Sequence, residues 1–493
     1  MILMNSSFSH FVFFLFLLSL RVAAESDLKF GGVFASNMVL QQQVKAPIWG
    51  TAEPGEAVAL KCSWRGGAVR VKAGDDGVWR TVVETPKAGG PYEISAKGKS
   101  GKVEIDNVLV GEVWVCSGQS NMQWKMRGFG VDHFKEAVVK AKYPEIRLCT
   151  LPQVLSLEPR QEVEANWVLC SPQSVLNFSA VAYFFGSQLH QKLDVPIGLI
   201  STNWGGSSAE AWIREETLRE DFPEFKAALD EYPGIIEENG ALYSRQKKAP
   251  KGLNHTSPSV LYNSMLKPLM PLAIRGVIWY QGETNVKRPE QYRTLFPTLI
   301  RDWREEWGQG DFPFYYVQIA PFIYKVEKKP AALLREAQAM ALAEPNTGMV
   351  VTMDVGDETN IHPKDKQPVG ERLARLALAK DYGQEDLVYS GPTYREMKKQ
   401  GAQIWLKFEH LGGGLQSRDG EPLSHFTMAG RDRKFHPATA TISKGYVIVE
   451  SDEVKRPVAV RYGWGNADEP NLMNAEGLPA SSFRTDDWEF EEK

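Results

Sequence analysis

Residues Glu112–Met126, EVWVCSGQSNMQWKM, decide how the rest of the chain is read. Val113-Trp114-Val115-Cys116 is apolar and largely β-branched without polar alternation, which predicts a short strand buried on both faces. It runs into Ser117-Gly118-Gln119-Ser120-Asn121, a polar turn with a glycine two residues before a serine. A serine hydroxyl is a weak nucleophile and needs a fixed place at the end of a rigid element, near a base. In open α/β sheets that place lies just beyond the carboxyl ends of the strands, where Ser120 falls. The spelling G-x-S-x-M lacks the second glycine of a G-x-S-x-G elbow. A lone match of this kind is as a rule only a polar turn after a strand, so further pieces are needed.

Outward from this stretch, apolar strands alternate with helix-period segments over about 109–388, the pattern of an α/β domain. Ile146–Leu148, Ile197–Ser201, Gly276–Tyr280, Phe314–Ile319 and Met349–Met353 read as strands. In Gln291–Trp307, Tyr292, Leu295, Phe296, Leu299, Ile300, Trp303 and Trp307 share one helical face, with Pro297 expected to kink it. A parallel sheet with helices on both faces accounts for the pattern. Before it, 25–108 reads as short strands (Val58–Cys62, Val69–Val71, Trp79–Val83, Tyr92–Ile94) between turns, a β-sandwich-like accessory region. After it, 389–493 returns to strands at Gln403–Leu406, Tyr446–Val449 and Val458–Tyr462.

The 493-residue chain is long enough for more than one domain, and its composition is ordinarily globular, 43% hydrophobic and 24% charged. A net charge of −4 gives no basic excess for nucleic acid or an anionic membrane. Phe11–Leu20, FVFFLFLLSL, has the length of a signal-peptide core, and Val22-Ala23-Ala24 offers cleavage after residue 24. No other stretch has the length of a membrane span, so a secreted or lumenal protein is expected. Asn177-Phe178-Ser179 and Asn254-His255-Thr256 are glycan acceptors in that compartment. Cys149 and Cys170 are spaced to close a short disulfide loop, Cys116 reads as a buried thiol, and the cysteine spacings do not resemble a zinc site. Nothing in the sequence sets an oligomeric state.

Three more strand ends carry useful chemistry. Ile197–Ser201 runs into Asn203-Trp204-Gly205-Gly206, where paired glycines let backbone N–H groups approach a developing oxyanion. Gly276–Tyr280 runs into Gln281-Gly282-Glu283; the Gln281 amide offers another oxyanion donor, and Glu283 reads as an acid or base, or as a buried carboxylate holding a loop. Met349–Met353 leads to Asp354, Asp357 and His362-Pro363. His362 alone among the mature histidines follows a core strand and precedes a helix, with Pro363 suited to a first helical position. It is the expected base for Ser120.

Ser117–Met122, Asn203–Gly206, Trp279–Glu283 and Ile361–Pro363 together resemble the sialate O-acetylesterases of the SGNH-hydrolase superfamily. The resemblance extends over nearly the whole mature chain, including Glu476–Ala480 and Phe483–Asp486 near its end. It implies a serine carboxylic ester hydrolase on a flavodoxin-like α/β/α core, removing O-acetyl groups from carbohydrates without metal or cofactor. Carried over by position, Ser120 is the nucleophile and His362 the base. Ser120 N–H, Gly205 or Gly206 N–H, and Gln281 form the oxyanion hole, although many relatives place an asparagine where Gln281 stands. The superfamily's D-x-x-H position is Thr359 here. The orienting acid is then Asp357, the nearest aspartate, or Asp354, or a backbone carbonyl in a Ser–His dyad.

Two other readings stand beside this one. The substrate is an acetylated xylan or another polysaccharide rather than a sialoside, since no residue in the sequence visibly reads a sialate carboxylate. Alternatively, with its 14 tryptophans and two β regions, the chain is a secreted sugar-binding protein without catalysis.

Overall fold

The computed structural model describes residues 28–244, 247–325 and 330–489. The expected signal peptide lies outside the described residues. The architecture turns on one long strand, β1 (Gly101–Gly118). Its first half pairs antiparallel with the strand Gly89–Gly98 of the N-terminal region. Its second half enters the central sheet, where it is buried. The boundary expected at 108/109 therefore falls inside a single strand.

The central sheet continues with β2 (Tyr143–Thr150), β3 (Trp167–Cys170), β4 (Ile197–Asn203), β5 (Gly276–Tyr280), β6 (Phe314–Val317) and β7 (Thr347–Val350). The spatial order is β3-β2-β4-β1-β5-β6-β7, parallel throughout except for the antiparallel β3. β4, β5 and β6 are buried along their whole length, which is why they read as unbroken apolar runs.

Side chains alternate across a strand, and β1 accordingly feeds two cores. Trp114 and Cys116 face α2 (Ala180–Leu193) and α5 (Gln367–Asp381), packing with Phe185, Leu199 and Leu373. Val113 and Val115 belong to the opposite core, with Trp279, Leu295 and Leu299 of α3 (Pro289–Trp307) and Leu334 of α4 (Pro330–Met340). α3 carries the expected apolar face, with Pro297 buried inside it. The N-terminal region forms a three-stranded sheet and a second sheet that continues into β1. The C-terminal region forms two four-stranded sheets. It is tied to the core by Arg335 of α4, fully buried, whose guanidinium donates to Ser482 Oγ and to the carbonyls of Gly463 and Gly465.

Two expectations are corrected. Cys149 and Cys170 form no disulfide: in the β2–β3 register Cys149 faces Trp167 while Cys170 pairs with Tyr143, at the far end. All four cysteines are free, buried thiols, and burial pushes Cys149 up to about 12. Pro363 does not start a helix either. β7 ends at Val350 and α5 begins at Gln367, with Pro368 in its first turn, so His362 sits in a long loop between them. Among the described residues, no helix is long and apolar enough to cross a membrane.

Candidate active site

The Ser120 turn is pinned where β1 and β5 end. Gly118 lies at φ +135°, and a Cβ there would come within 2.2 Å of the Tyr280 carbonyl oxygen, so only glycine allows the approach. Gln119 N–H donates to that same carbonyl at 2.9 Å. The Gln119 side-chain oxygen then accepts the N–H groups of Gly282 (3.2 Å) and Thr284 (3.3 Å), fastening the turn to the loop after β5. Ser120 opens the short helix α1 (Ser120–Gln123). Its N–H is one of those a helix start leaves without an intrahelical partner.

The glycine pair after β4 lies against this turn. A Cβ on Gly205 would sit 3.3 Å from the Ser120 Cβ. The Gly205 N–H is held by Gln123 Oε1 at 2.6 Å, while the Gly206 N–H has no acceptor among the described residues. Gly206 is left-handed at φ +80°, and its missing side chain leaves room for His255, whose Nε2 would stand 3.1 Å from a Cβ there. The His255 ring stacks on Trp204 at 5.5 Å.

Gln281 does not join the oxyanion donors. Its side chain is fully buried, and its Nε2 donates to Ser207 O (3.2 Å) and Asn285 Oδ1 (2.6 Å). Its Oε1 accepts from the Tyr292 hydroxyl at 2.9 Å. Both amide hydrogens are spent on holding the β4 and β5 loops together. The carry-over of an oxyanion role to Gln281 is corrected on that ground.

Asp357, the nearest aspartate to the expected acid position, is not hydrogen-bonded or ion-paired to the His362 imidazole among the described residues. Its Oδ1 accepts the Thr359 N–H, the Thr359 hydroxyl and the Asn360 N–H, a self-contained turn that also holds the carboxyl below its usual range. Asp354 is engaged by Arg372, at 2.8 and 2.5 Å. Among the described residues no carboxylate is hydrogen-bonded or ion-paired to the His362 imidazole. His362 is fixed by its backbone N–H, which donates to Asn360 Oδ1 (3.0 Å), and by its ring, which lies on the Trp124 indole with centroids 4.4 Å apart. Burial first, and then the positive charge of Lys366, lowers its pKa below the ordinary 6.5. Both influences favour the neutral imidazole over its protonated form.

Beneath these groups lies a buried polar link. The Asn121 amide donates to Glu283 Oε1 (2.5 Å) and to the Ile361 carbonyl (3.0 Å), and its oxygen accepts from Lys366 Nζ (2.5 Å). One side chain next to Ser120 thus holds the residue next to His362. Burial pulls the Lys366 ammonium down to about 7, opposed by the charges of Glu283 and Asp365. Burial also raises the Glu283 carboxyl. Glu283 is therefore the buried, loop-holding carboxylate of the two readings its position allowed. Asn121, Trp124, Lys366 and His255 escaped the sequence reading. Asn121 and Trp124 lie inside the quoted motif, but nothing in their spacing tells a positioning residue from a turn residue. His255 was absorbed by its sequon.

A cleft of ≈ 760 Å³ opens beside the site, with Gln123 and Asn203 in its wall. Among the described residues no three His, Cys, Asp or Glu side chains gather as a metal site. The arrangement offers an alcohol at a helix start with backbone N–H donors beside it, and an imidazole on a separate loop, groups of the kind that acyl transfer uses.

Comparison with known proteins agrees with this chemistry. The family described as carbohydrate esterase, sialic acid-specific acetylesterase, matches residues 110–379. The sialate O-acetylesterase of Mus musculus is 30% identical over 489 residues, covering 90% of each chain. That of Homo sapiens is 30% identical over 484 residues, covering 90% of this chain and 88% of its own. A crystal structure of a carbohydrate acetylesterase from Xanthomonas citri superposes with a TM-score of 0.82 at 38% identity, over 94% of this chain and all of that one. With a core of the same shape and relatives aligned along almost its entire length, the chain belongs to the sialic acid-specific acetylesterase family of carbohydrate esterases and is an ester hydrolase.

Proposed function

We propose that the protein removes O-acetyl groups from carbohydrates through an acetyl-enzyme on Ser120, with His362 as general base and no carboxylate behind it. The observation that carries this reading is the meeting of the two loops: Asn121 bonds the Ile361 carbonyl while Trp124 backs the His362 ring. Ser120 Oγ attacks the acetyl carbonyl as His362 takes its proton. The oxyanion is received by Ser120 N–H and Gly206 N–H, with Gly205 N–H joining when Gln123 releases it. Collapse breaks the bond to the sugar oxygen, which leaves with the proton from His362. Water, deprotonated by His362, then attacks the acetyl-serine and releases acetate.

Setting β2 and β3 aside, the order β4-β1-β5-β6-β7 reads 2-1-3-4-5, the flavodoxin-type order, which supports an SGNH-type core. Secretion, with glycans on Asn177 and Asn254, is part of the same proposal and rests on the sequence. The test is turnover of p-nitrophenyl acetate and of acetylated sugars by the parent and by Ser120→Ala. Release of acetate that disappears in the variant is expected; activity surviving in clean Ser120→Ala protein refutes the mechanism, and a parent inactive on every ester favours a sugar binder.

A further inference from the structure

The loop after β4 presses on the Ser120 turn at Gly205, where a Cβ would stand 3.3 Å from the Ser120 Cβ and 2.8 Å from Gln123 Oε1. A backbone N–H at that place suits an oxyanion forming on Ser120. That donor is already engaged: Gly205 N–H donates to Gln123 Oε1 at 2.6 Å. A backbone N–H carries a single hydrogen, so a substrate oxygen has to displace the amide oxygen before it can use the donor.

The other end of the same amide is open. Gln123 is half-buried in the wall of the cleft, and its Nε2 has no acceptor among the described residues. Two other amides of that wall are closed: Gln153 Nε2 donates to Asn203 O (3.2 Å), and Asn203 Nδ2 to Ser201 Oγ (2.7 Å). The backbone around Gln123 is fixed. Its N–H donates to Gln119 O (2.9 Å), the Met122 carbonyl accepts from Ser179 Oγ (2.6 Å), and the Trp124 carbonyl accepts the Ala180 N–H (2.8 Å). Movement therefore falls to the Gln123 side chain, which joins the donor beside Ser120 to the cleft.

We propose that Gln123 is a positioning residue that sets specificity, a latch on the Gly205 N–H that a sugar hydroxyl in the cleft releases. The hydroxyl accepts from Nε2 and draws the amide off Gly205. The Gly205 donor is then delivered when a polyol is seated and withheld from an ester with a plain aryl leaving group. The inference rests on the Ser120 esterase reading and adds to it a way to tell sugar acetates from simple acetates.

The test compares the full chain with Gln123→Ala, Gln123→Asn and Gln123→Glu on two esters. One is p-nitrophenyl acetate; the other is whichever of a mono-O-acetylated sialoside and a mono-O-acetylated xyloside the parent hydrolyses faster. Alanine removes the latch, and asparagine is one methylene too short to close it. Both are expected to raise kcat/KM for p-nitrophenyl acetate about 3- to 10-fold, the worth of one hydrogen bond. On the acetylated sugar neither should gain, because the parent already frees Gly205 there. Gln123→Glu keeps an acceptor that holds the N–H more tightly and offers the sugar no amide hydrogens, so it should lower kcat/KM on both esters. A loss of packing alone would instead lower both esters in the alanine and asparagine variants. The proposal is overturned if those two variants fail to speed p-nitrophenyl acetate, if they speed both esters equally, or if Gln123→Glu matches the parent. Full activity in Ser120→Ala would remove the esterase reading and the latch with it. An inactive Ser120→Ala beside any of the three overturning results removes the latch alone.

Discussion

The indole of Trp124 lies on the imidazole of His362, ring centroids 4.4 Å apart and planes 30° apart. Trp124 directly follows the helix that begins with Ser120, so the element presenting the proposed nucleophile also backs the proposed base. Aromatic contacts of this sort contribute about 0.5–1.5 kcal/mol beyond their buried area. Trp124→Ala is therefore expected to lower kcat for p-nitrophenyl acetate about 10-fold, with Trp124→Phe retaining most of it. Steady-state kinetics of the two variants check this; equal losses in both would remove the stacking argument.

Asn121 should be a positioning residue whose loss is felt in both stability and rate. Asn121→Ala leaves Glu283 and Lys366 buried without the amide that bridges them. A cost of about 3 kcal/mol is expected in urea unfolding. The drop in turnover should fall on kcat rather than KM, because the His362 loop loses its tether through the Ile361 carbonyl.

The pH profile follows from two lowered pKa values. His362 acts as a base only when neutral, and its pKa lies below 6.5, so the rate rises with pH below that value and is flat by neutrality. Lys366→Met removes the positive charge that helps lower it, which moves this limb to higher pH. A limb that stays in place would exclude the coupling.

Lys366 also makes folding pH-dependent. The folded chain releases its proton near 7, the unfolded chain near the ordinary 10.5. Between the two the unfolded chain binds more protons, so this group makes stability rise with pH across that window. Chemical denaturation at pH 7 and pH 9 should show the rise in the parent and its reduction in Lys366→Met.

Asp357→Asn should keep its activity. The asparagine oxygen can still accept the Thr359 and Asn360 N–H groups that Asp357 now holds. A change within about threefold is expected, against the ~10⁴ loss when an asparagine replaces a true triad aspartate. A loss of the larger size would restore Asp357 to the triad.

The strands and the order in which they end were legible in the chain because burial on both faces leaves a local signature, an unbroken apolar run such as Gly276–Tyr280. Met349–Met353 was placed less well: the strand runs Thr347–Val350, and past it the Val351 carbonyl accepts from the Arg372 side chain rather than from a neighbouring strand. Local apolarity marks burial, not the point where a ladder stops.

By itself, then, the sequence determined the alternation of strands and helices and put Ser120 and the Gly205-Gly206 pair just past strand ends, because periodicity and turn chemistry act between near neighbours, whereas the long loop that carries His362 was not read from it. Only the tertiary structure decided which hydrogen-bond partner each polar side chain takes. Gln281 turned into the β4–β5 junction, Asp357 onto its own turn, Cys149 away from Cys170, and Asn121 toward a lysine 245 residues along the chain. A buried donor must find an acceptor among whatever long-range packing brings beside it, and no local pattern encodes that choice.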